Sequence, residues 1–63
     1  GSIAEFSQGI QRYPQQAQLY NSRSRSYFEL KQYSKAWEDI NTAGRLGFAL
    51  DRNYFMKLQA LAR

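Results

Sequence analysis

The stretch that decides the fold is residues 17–43, AQLYNSRSRSYFELKQYSKAWEDINTA. Apolar side chains recur in it at helical spacing on both sides of a tight polar corner at Gln32-Tyr33. They are Tyr20, Tyr27, Phe28 and Leu30 before the corner, and Ala36, Trp37, Ile40 and Ala43 after it. We therefore predict a helix over Ala17–Lys31 and a second, antiparallel helix for which Ser34 is the N-cap.

The flanking sequence predicts one more helix on each side. Before the central stretch, a stripe at spacings of three and four residues is ended by Pro14; its members are Ile3, Phe6, Ile10 and Tyr13. After it, Gly47 is well placed for a left-handed C-cap, and the charge of Asp51 suits the positive end of a following helix. No β-branched alternating run occurs. The expected fold class is all-α, with four antiparallel helices.

The chain is similar to itself at an offset of 34 residues. The pairs that agree in size or charge are Ile3 with Trp37, Glu5 with Asp39, Phe6 with Ile40, Gly9 with Ala43, Tyr20 with Tyr54, Arg23 with Lys57, Ser26 with Ala60 and Tyr27 with Leu61. The register fails at three positions, where Pro14 meets Phe48, Leu19 meets Asn53 and Ser24 meets Leu58. The competing interpretation is two unrelated helical hairpins. Agreement among the small residues favours a repeat, because amphipathicity alone does not require it.

With that period, the residues resemble a tetratricopeptide repeat, a 34-residue helix-turn-helix whose first helix is called A and second B. The matching positions are Tyr20, Ser24 and Tyr27 on helix A, and Ala36, Ile40 and Ala43 on helix B. Phe48 stands where the family has a closing proline. Two segments, 19–24 and 33–39, are especially similar to repeats of chaperone-associated members. The resemblance implies a fragment of an α-solenoid built from antiparallel helical repeats.

The repeat frame divides the chain into four parts. Gly1-Ser2 reads as a cloning scar, residues 3–16 as helix B of a preceding repeat, 17–50 as one complete repeat, and 51–63 as helix A of a following repeat. Repeats in such a stack bury their apolar faces against neighbours. We therefore expect the terminal helices to expose the side chains that neighbours would cover, so that the chain belongs to a longer array or self-associates. Those side chains are Ile3, Phe6, Ile10, Leu58 and Leu61.

The same frame predicts the core. Ser24 and Ala43 are small, so the two helices of the complete repeat can approach closely. Large side chains are expected to fill the space between these helices, namely Tyr27, Tyr33, Trp37 and Ile40. Asp39 is expected to pair with Arg23 on the neighbouring helix.

The composition argues against an enzyme. The chain has no histidine and no cysteine, which removes imidazole bases, thiolate nucleophiles and most transition-metal sites. No histidine is present to activate a serine nucleophile at Ser22, Ser24, Ser26 or Ser34, and no glycine-rich phosphate loop occurs. The adjacent carboxylates of Glu38 and Asp39 do not face each other on a helix, so they are not placed for acid–base catalysis. We expect no catalytic residue, no cofactor and no metal. No apolar run approaches the roughly 20 residues that span a bilayer.

The resemblance implies where a partner binds, because helix A residues line the concave groove of the family. Carried over by position, the groove residues are Gln18, Asn21, Ser22, Arg25, Phe28 and Glu29 on the first helix A, and Arg52, Phe55, Met56 and Gln59 on the second. Arg25 and Arg52 would bind carboxylates, and Asn21 and Gln59 would hydrogen-bond a peptide backbone. An apolar side chain would be seated by Phe28, Phe55 and Met56. The alternative is that Phe28 and Phe55 pack against neighbouring repeats.

These positions predict a scaffold that binds a protein or peptide, favouring an acidic or carboxylate-bearing segment. The compartment stays open, with the cytoplasm favoured. The carboxylate clamp of chaperone-binding members is incomplete, since Ser22 and Met56 depart from its asparagine and arginine. The alternative function is an RNA-binding helical repeat with a basic face, which the net charge of +4 permits. One complete repeat would read about one base, which disfavours nucleic acid as the partner.

Overall fold

A computed structural model describes residues 3–63, over which the chain is all-α. Its four helices are α1 (Ile3–Arg12), α2 (Ala17–Glu29), α3 (Tyr33–Arg45) and α4 (Arg52–Leu61). The predicted fold class is therefore confirmed. Packing follows the chain, with α2 against α1, α3 against α2 and α4 against α3. Gly1 and Ser2, assigned above to a cloning scar, lie outside the described residues.

Two of the predicted helix ends are confirmed. Asp51 is the N-cap of α4, and its carboxylate accepts hydrogen bonds from the backbone N–H groups of Asn53 and Tyr54. Gly47 follows α3 with a φ of 99°, a left-handed conformation that glycine adopts without a steric penalty. The chain therefore turns sharply after α3 and re-enters a helix at a charged cap.

Two other predicted ends are wrong. Ser34 lies inside α3 rather than before it, because the helix starts at Tyr33 with Gln32 as an N-cap that makes no side-chain hydrogen bond. The second helix ends at Glu29 rather than Lys31, because Lys31 has a φ of 61° and cannot continue a right-handed helix. The N–H of Gln32 still bonds to the carbonyl of Tyr27, which closes the end of α2.

The core lies where α2, α3 and α4 meet. Its fully covered apolar side chains are Ala36, Ile40, Ala43 and Leu58, with Tyr54 nearly so. Leu58 was expected to be open to a following helix, and that expectation is wrong. Leu58 projects from α4 into the α2–α3 hairpin and shows 0% exposure.

The larger aromatic residues close the edges of the core rather than its centre. Tyr27, Tyr33 and Trp37 are half-buried and pack around Ile40, which is fully buried. Trp37 stacks on Phe55 of α4, with ring centroids 4.9 Å apart. The prediction that Trp37 fills the space between α2 and α3 is therefore wrong, because its ring faces the other neighbour of α3.

A charged clamp joins the three N-terminal helices. The guanidinium of Arg23 donates two hydrogen bonds to the carboxylate of Asp39, at 2.7 and 2.8 Å, and a third at 3.0 Å to the hydroxyl of Ser7 on α1. This confirms the predicted pair. The bond to Asp39 is the main cause that raises the pKa of Arg23 above its ordinary value. Because Asp39 is only 5% exposed, the pair is shielded from water and fixes the register of α2 against α3.

Candidate functional site: the cleft between α2 and α4

A cleft of about 390 Å³ opens between the C-terminal half of α2 and the beginning of α4. Its lining combines two aromatic rings, two cations, two carboxylates and an amide: Phe28, Tyr54, Arg25, Lys57, Glu29, Asp51 and Asn53. The volume lies within the range of sites that take a small ligand or a few side chains of a partner. We refer to it below as the α2–α4 cleft.

The floor of the α2–α4 cleft is aromatic and rigidly held. The rings of Phe28 and Tyr54 lie with centroids 5.4 Å apart, and Tyr33 meets Phe28 edge-on at 5.4 Å. Tyr54 is anchored by its hydroxyl, 2.8 Å from the hydroxyl of Ser24. Since Ser24 gives its own proton to the carbonyl of Ala36 at 2.8 Å, the hydroxyl of Tyr54 must be the donor to Ser24.

This anchoring affects the acidity of Tyr54. Burial is the largest cause and raises the pKa of Tyr54 above its ordinary value of 10.0, while the charge of Arg25 opposes the shift. The phenol therefore stays neutral at physiological pH. It serves as a fixed hydrogen-bond donor and apolar surface rather than as a base.

Two cations cover the aromatic floor. The guanidinium carbon of Arg25 lies 4.4 Å from the ring centroid of Tyr54, and the amine of Lys57 lies 5.9 Å from that of Phe28. Of the two carboxylates, that of Asp51 already accepts from the N–H groups that start α4. A guanidinium stacked on a ring still presents its N–H edge outward, in the geometry that suits a carboxylate.

The structure places the predicted groove residues of α2 on one strip. Arg25, Phe28 and Glu29 line the α2–α4 cleft. The other three are Gln18, Asn21 and Ser22, none of which lines the cleft. At about 100° per residue they share the face of α2 with Arg25, one to two turns earlier. The strip therefore extends along α2 from the cleft towards its N-terminus.

On α4 the predicted residues do not reach the α2–α4 cleft. Phe55 packs on Trp37 of α3, on the opposite flank of Tyr54 from the cleft. The remaining three are exposed and project about 140–200° away from Tyr54 around the helix; they are Arg52, Met56 and Gln59. Arg25 and Arg52 are thus not brought together there, and Lys57 is the second cation of the cleft.

Two residues of the cleft, Asn53 and Lys57, were not predicted from the sequence. The signal that could have found them is the helical position of the buried pair Tyr54 and Leu58, which fixes how α4 is rotated. Asn53 and Lys57 flank that pair on one side, and Phe55 flanks it on the other. Which flank meets α2 depends on how α4 crosses the hairpin, and periodicity carries no information on that.

Other site classes find no support in residues 3–63. No group of three or more potential ligands could hold a metal ion there. Every buried side-chain nitrogen or oxygen of these residues has a hydrogen-bond partner. No helix among them is long and apolar enough to cross a bilayer. Comparison with models of protein families, with curated proteins and with solved structures finds no match to this chain.

Proposed function

We propose that this chain is a tetratricopeptide-like protein-interaction module that binds a peptide or helix of its partner in the α2–α4 cleft. The observation that carries the proposal is the stacking of Arg25 on Tyr54, beside Phe28, in an open cleft. Arginine and tyrosine are the side chains most enriched where protein partners contribute binding energy. Here both are held in place before a partner arrives, which lowers the entropic cost of binding.

The charges of the cleft favour a partner segment that pairs a carboxylate with an apolar side chain. Arg25 and Lys57 stand at the cleft surface together with the carboxylate of Glu29, while the carboxylate of Asp51 is engaged in capping α4. The two cations therefore outnumber the one carboxylate that does not cap a helix. A carboxylate would bond the guanidinium edge of Arg25, and the apolar side chain would rest on Phe28. Loss of one partner from a desolvated charge pair costs about 2–5 kcal/mol, and from an exposed pair about 0–1 kcal/mol.

The test is a titration followed by amide resonances of the ¹⁵N-labelled chain. The probe is a synthetic peptide of alternating glutamate and leucine, and its control carries glutamine for each glutamate. We expect the amides of Arg25, Phe28 and Lys57 to shift with the acidic probe and to shift less with the control. Shifts confined to the outer face of α3, at Glu38 and Arg45, would contradict the proposal.

Substitutions give the test a matched control. Arg25→Gln and Lys57→Gln should each weaken the acidic probe about tenfold, equivalent to about 1.4 kcal/mol. Arg52→Gln and Arg45→Gln remove the same charge from exposed sites outside the cleft and should leave binding within about twofold, as exposed pairs do. A uridine oligonucleotide supplies the competing outcome. Tight binding of it with a steep log-linear salt dependence would point to nucleic acid instead.

A further inference from the structure

We infer that the protein has a second binding site, which takes the phosphoryl group of a phosphorylated side chain of a protein partner. The site is a cleft of about 350 Å³ between the α2–α3 corner and the C-terminal end of α4. Its lining comes from two segments that are distant in the chain, 31–35 and 61–63, and shares no residue with the α2–α4 cleft. We refer to it below as the basic cleft.

The basic cleft carries an unbalanced positive charge. Lys31, Lys35 and Arg63 line it, and the described residues of its lining include no aspartate or glutamate. The α2–α4 cleft, by comparison, is lined by two cations and two carboxylates. A main-chain carboxylate at Arg63 would offset one of the three charges of the basic cleft and leave a net charge of +2. The basic cleft therefore attracts an anion more strongly than the α2–α4 cleft does.

The charge of the basic cleft comes from side chains rather than from helix ends. The N-terminus of α3 carries positive partial charge and the C-terminus of α4 carries negative partial charge. Because both ends border the cleft, the two contributions oppose each other. The three cationic side chains are exposed and therefore free to turn toward a ligand. The amine of Lys35 lies 5.7 Å from the ring centroid of Tyr27, a contact that leaves its charge in place.

A phosphoryl group suits these three cations better than a carboxylate does. It carries a charge of about −1.5 to −2 at pH 7 and three acceptor oxygens. Lys31 and Lys35 each supply an ammonium group, and Arg63 supplies a planar guanidinium that bonds two oxygens at once. Each phosphoryl oxygen would thus meet a charged donor. A carboxylate, with a single charge, would leave two of the three cations unbalanced.

The apolar part of the lining favours a phosphorylated side chain over free phosphate. Leu61 is 44% exposed, and the half-buried ring of Tyr33 also lines the basic cleft. Free phosphate would leave this surface in water, whereas the residues beside a phosphoserine would cover it. Tyr33 meets Phe28 of the α2–α4 cleft edge-on, with ring centroids 5.4 Å apart, so the two clefts adjoin. One protein segment would reach both, and this identification of the partner rests on the proposed function.

The experiment is a titration of the ¹⁵N-labelled full chain with an end-blocked pentapeptide, glycine-leucine-phosphoserine-leucine-glycine. Matched peptides carry glutamate or serine in place of the phosphoserine. We expect the phosphopeptide to give saturable shifts of the amides of Lys31, Ser34, Lys35 and Ala62. The glutamate peptide and inorganic phosphate should each bind about tenfold more weakly, the first for lack of charge and the second for lack of apolar contact. The serine peptide should not saturate.

Substitutions at the cations give this titration matched controls. Arg63→Gln and Lys31→Gln should each weaken the phosphopeptide about fivefold, and their combination should abolish the saturable shifts. Arg63 lies beyond the last residue of α4, so its replacement should leave the helices intact, which circular dichroism checks. Arg12→Gln and Arg52→Gln remove the same charge from exposed sites outside the cleft. They should change binding by less than about twofold.

Four results would overturn the inference. Equal affinity for the phosphoserine and glutamate peptides would show that no phosphoryl group is selected. Equal affinity for inorganic phosphate would show that no side chain is selected. Binding that survives the double substitution would place the phosphopeptide elsewhere. Tighter binding of a uridine oligonucleotide, or of vesicles containing phosphatidylserine, would assign the basic cleft to nucleic acid or to a membrane surface.

These outcomes are separate from the test of the α2–α4 cleft. The acidic probe of glutamate and leucine should shift the amides of Arg25 and Phe28 whether or not the phosphopeptide binds. A phosphopeptide that binds while the acidic probe does not would contradict the proposed function and leave the basic cleft as a phosphoryl site. The reverse result would overturn the basic cleft alone.

Discussion

Helices α1 and α3 are aligned by the 34-residue offset of the sequence, yet their aligned side chains are buried to different extents. On α3, Asp39 is buried against Arg23, and Ile40 and Ala43 have no exposed surface. At the matching places on α1, Glu5 is exposed and Phe6 is half-buried. The difference lies in the neighbours, because α3 is packed between α2 and α4 whereas α1 contacts α2 alone.

This comparison separates amphipathic pattern from burial. Phe6 is larger than Ile40 and would remove more apolar area from water if it were covered. Phe6 contributes less to the free energy of unfolding because part of its ring stays exposed to water. The free energy of unfolding should therefore depend strongly on α3 and weakly on α1.

The largest difference in the free energy of unfolding is expected when the apolar side chains of Ile40 and Phe6 are truncated. Ile40→Ala should lower the free energy of unfolding by about 2–5 kcal/mol, as for other buried aliphatic side chains. That is a large part of the stability of a chain of this size. Phe6→Ala should lower it by about 1–2 kcal/mol, because only part of the ring leaves water. Urea unfolding at low protein concentration measures both values, and equal losses would contradict the comparison.

The loss of stability on substitution should differ nearly as much between the two aligned carboxylates, Asp39 on α3 and Glu5 on α1. Asp39→Ala leaves Arg23 without its bidentate partner and should cost about 3 kcal/mol, the lower end for broken buried pairs. Glu5→Ala should cost only about 0–1 kcal/mol, as for interactions of exposed charges, because the Glu5 carboxylate is open to water. Replacing both Asp39 and Arg23 by leucine should recover much of the loss, because the unpaired charge is then gone. A double variant as unstable as Asp39→Ala would contradict this account.

The small residues give a finer comparison. Ala43→Gly removes a covered methyl and a good helix former, so it should cost about 1–2 kcal/mol. Gly9→Ala gains helix propensity of up to about 1 kcal/mol, partly offset because the new methyl would lie 3.1 Å from a methyl of Leu19. We expect a net gain of about 0.5 kcal/mol. Thermal melts show whether each substitution raises or lowers stability. A destabilised Gly9→Ala variant would mean that α1 cannot shift on α2 to make room for the new methyl group.

A further modest effect is expected at the two hydroxyl groups that join α3 to its neighbours, those of Ser24 and Tyr54. Tyr54→Phe removes the hydrogen bond that Ser24 accepts and should cost about 1 kcal/mol at neutral pH. The raised pKa of Tyr54 means that this stabilisation is complete below pH 10. It is lost as the pH rises through the folded-state pKa, because the unfolded chain ionises first.

The pH dependence supplies its own control. The wild type and Tyr54→Phe should differ in the slope of stability against pH above about pH 10, and not below it. Urea unfolding at several alkaline pH values measures the slopes. Parallel curves would show that burial of this phenol does not resist ionisation.

Much of the fold could be predicted from single residues. Helical spacing around Ile40, the cap at Asp51 and the left-handed glycine at position 47 each act through local geometry, so the sequence states them directly. The pairing of Arg23 with Asp39 was also predictable, since two opposite charges recur on faces that a hairpin must bring together. The end of α2 was not, because Lys31 adopts a left-handed conformation that its residue type disfavours.

Only the α2 side of the α2–α4 cleft could be predicted from the sequence. Arg25, Phe28 and Glu29 follow from the face of α2, which the hairpin partner fixes. Helix α4 presents two flanks beside Tyr54 and Leu58, one with Phe55 and one with Lys57. The predicted groove used the first flank, and the cleft uses the second.

The sequence by itself determined that the chain is helical, that four helices follow one another and which side chains are available for a core, because these depend on contacts within a few residues. The tertiary structure decided which amphipathic faces are covered and which cations meet across the cleft. Those outcomes depend on the angle at which α4 crosses the hairpin and on which helices lack a neighbour. Both are properties of packing between distant segments, which the hydrophobic period of a single helix does not specify.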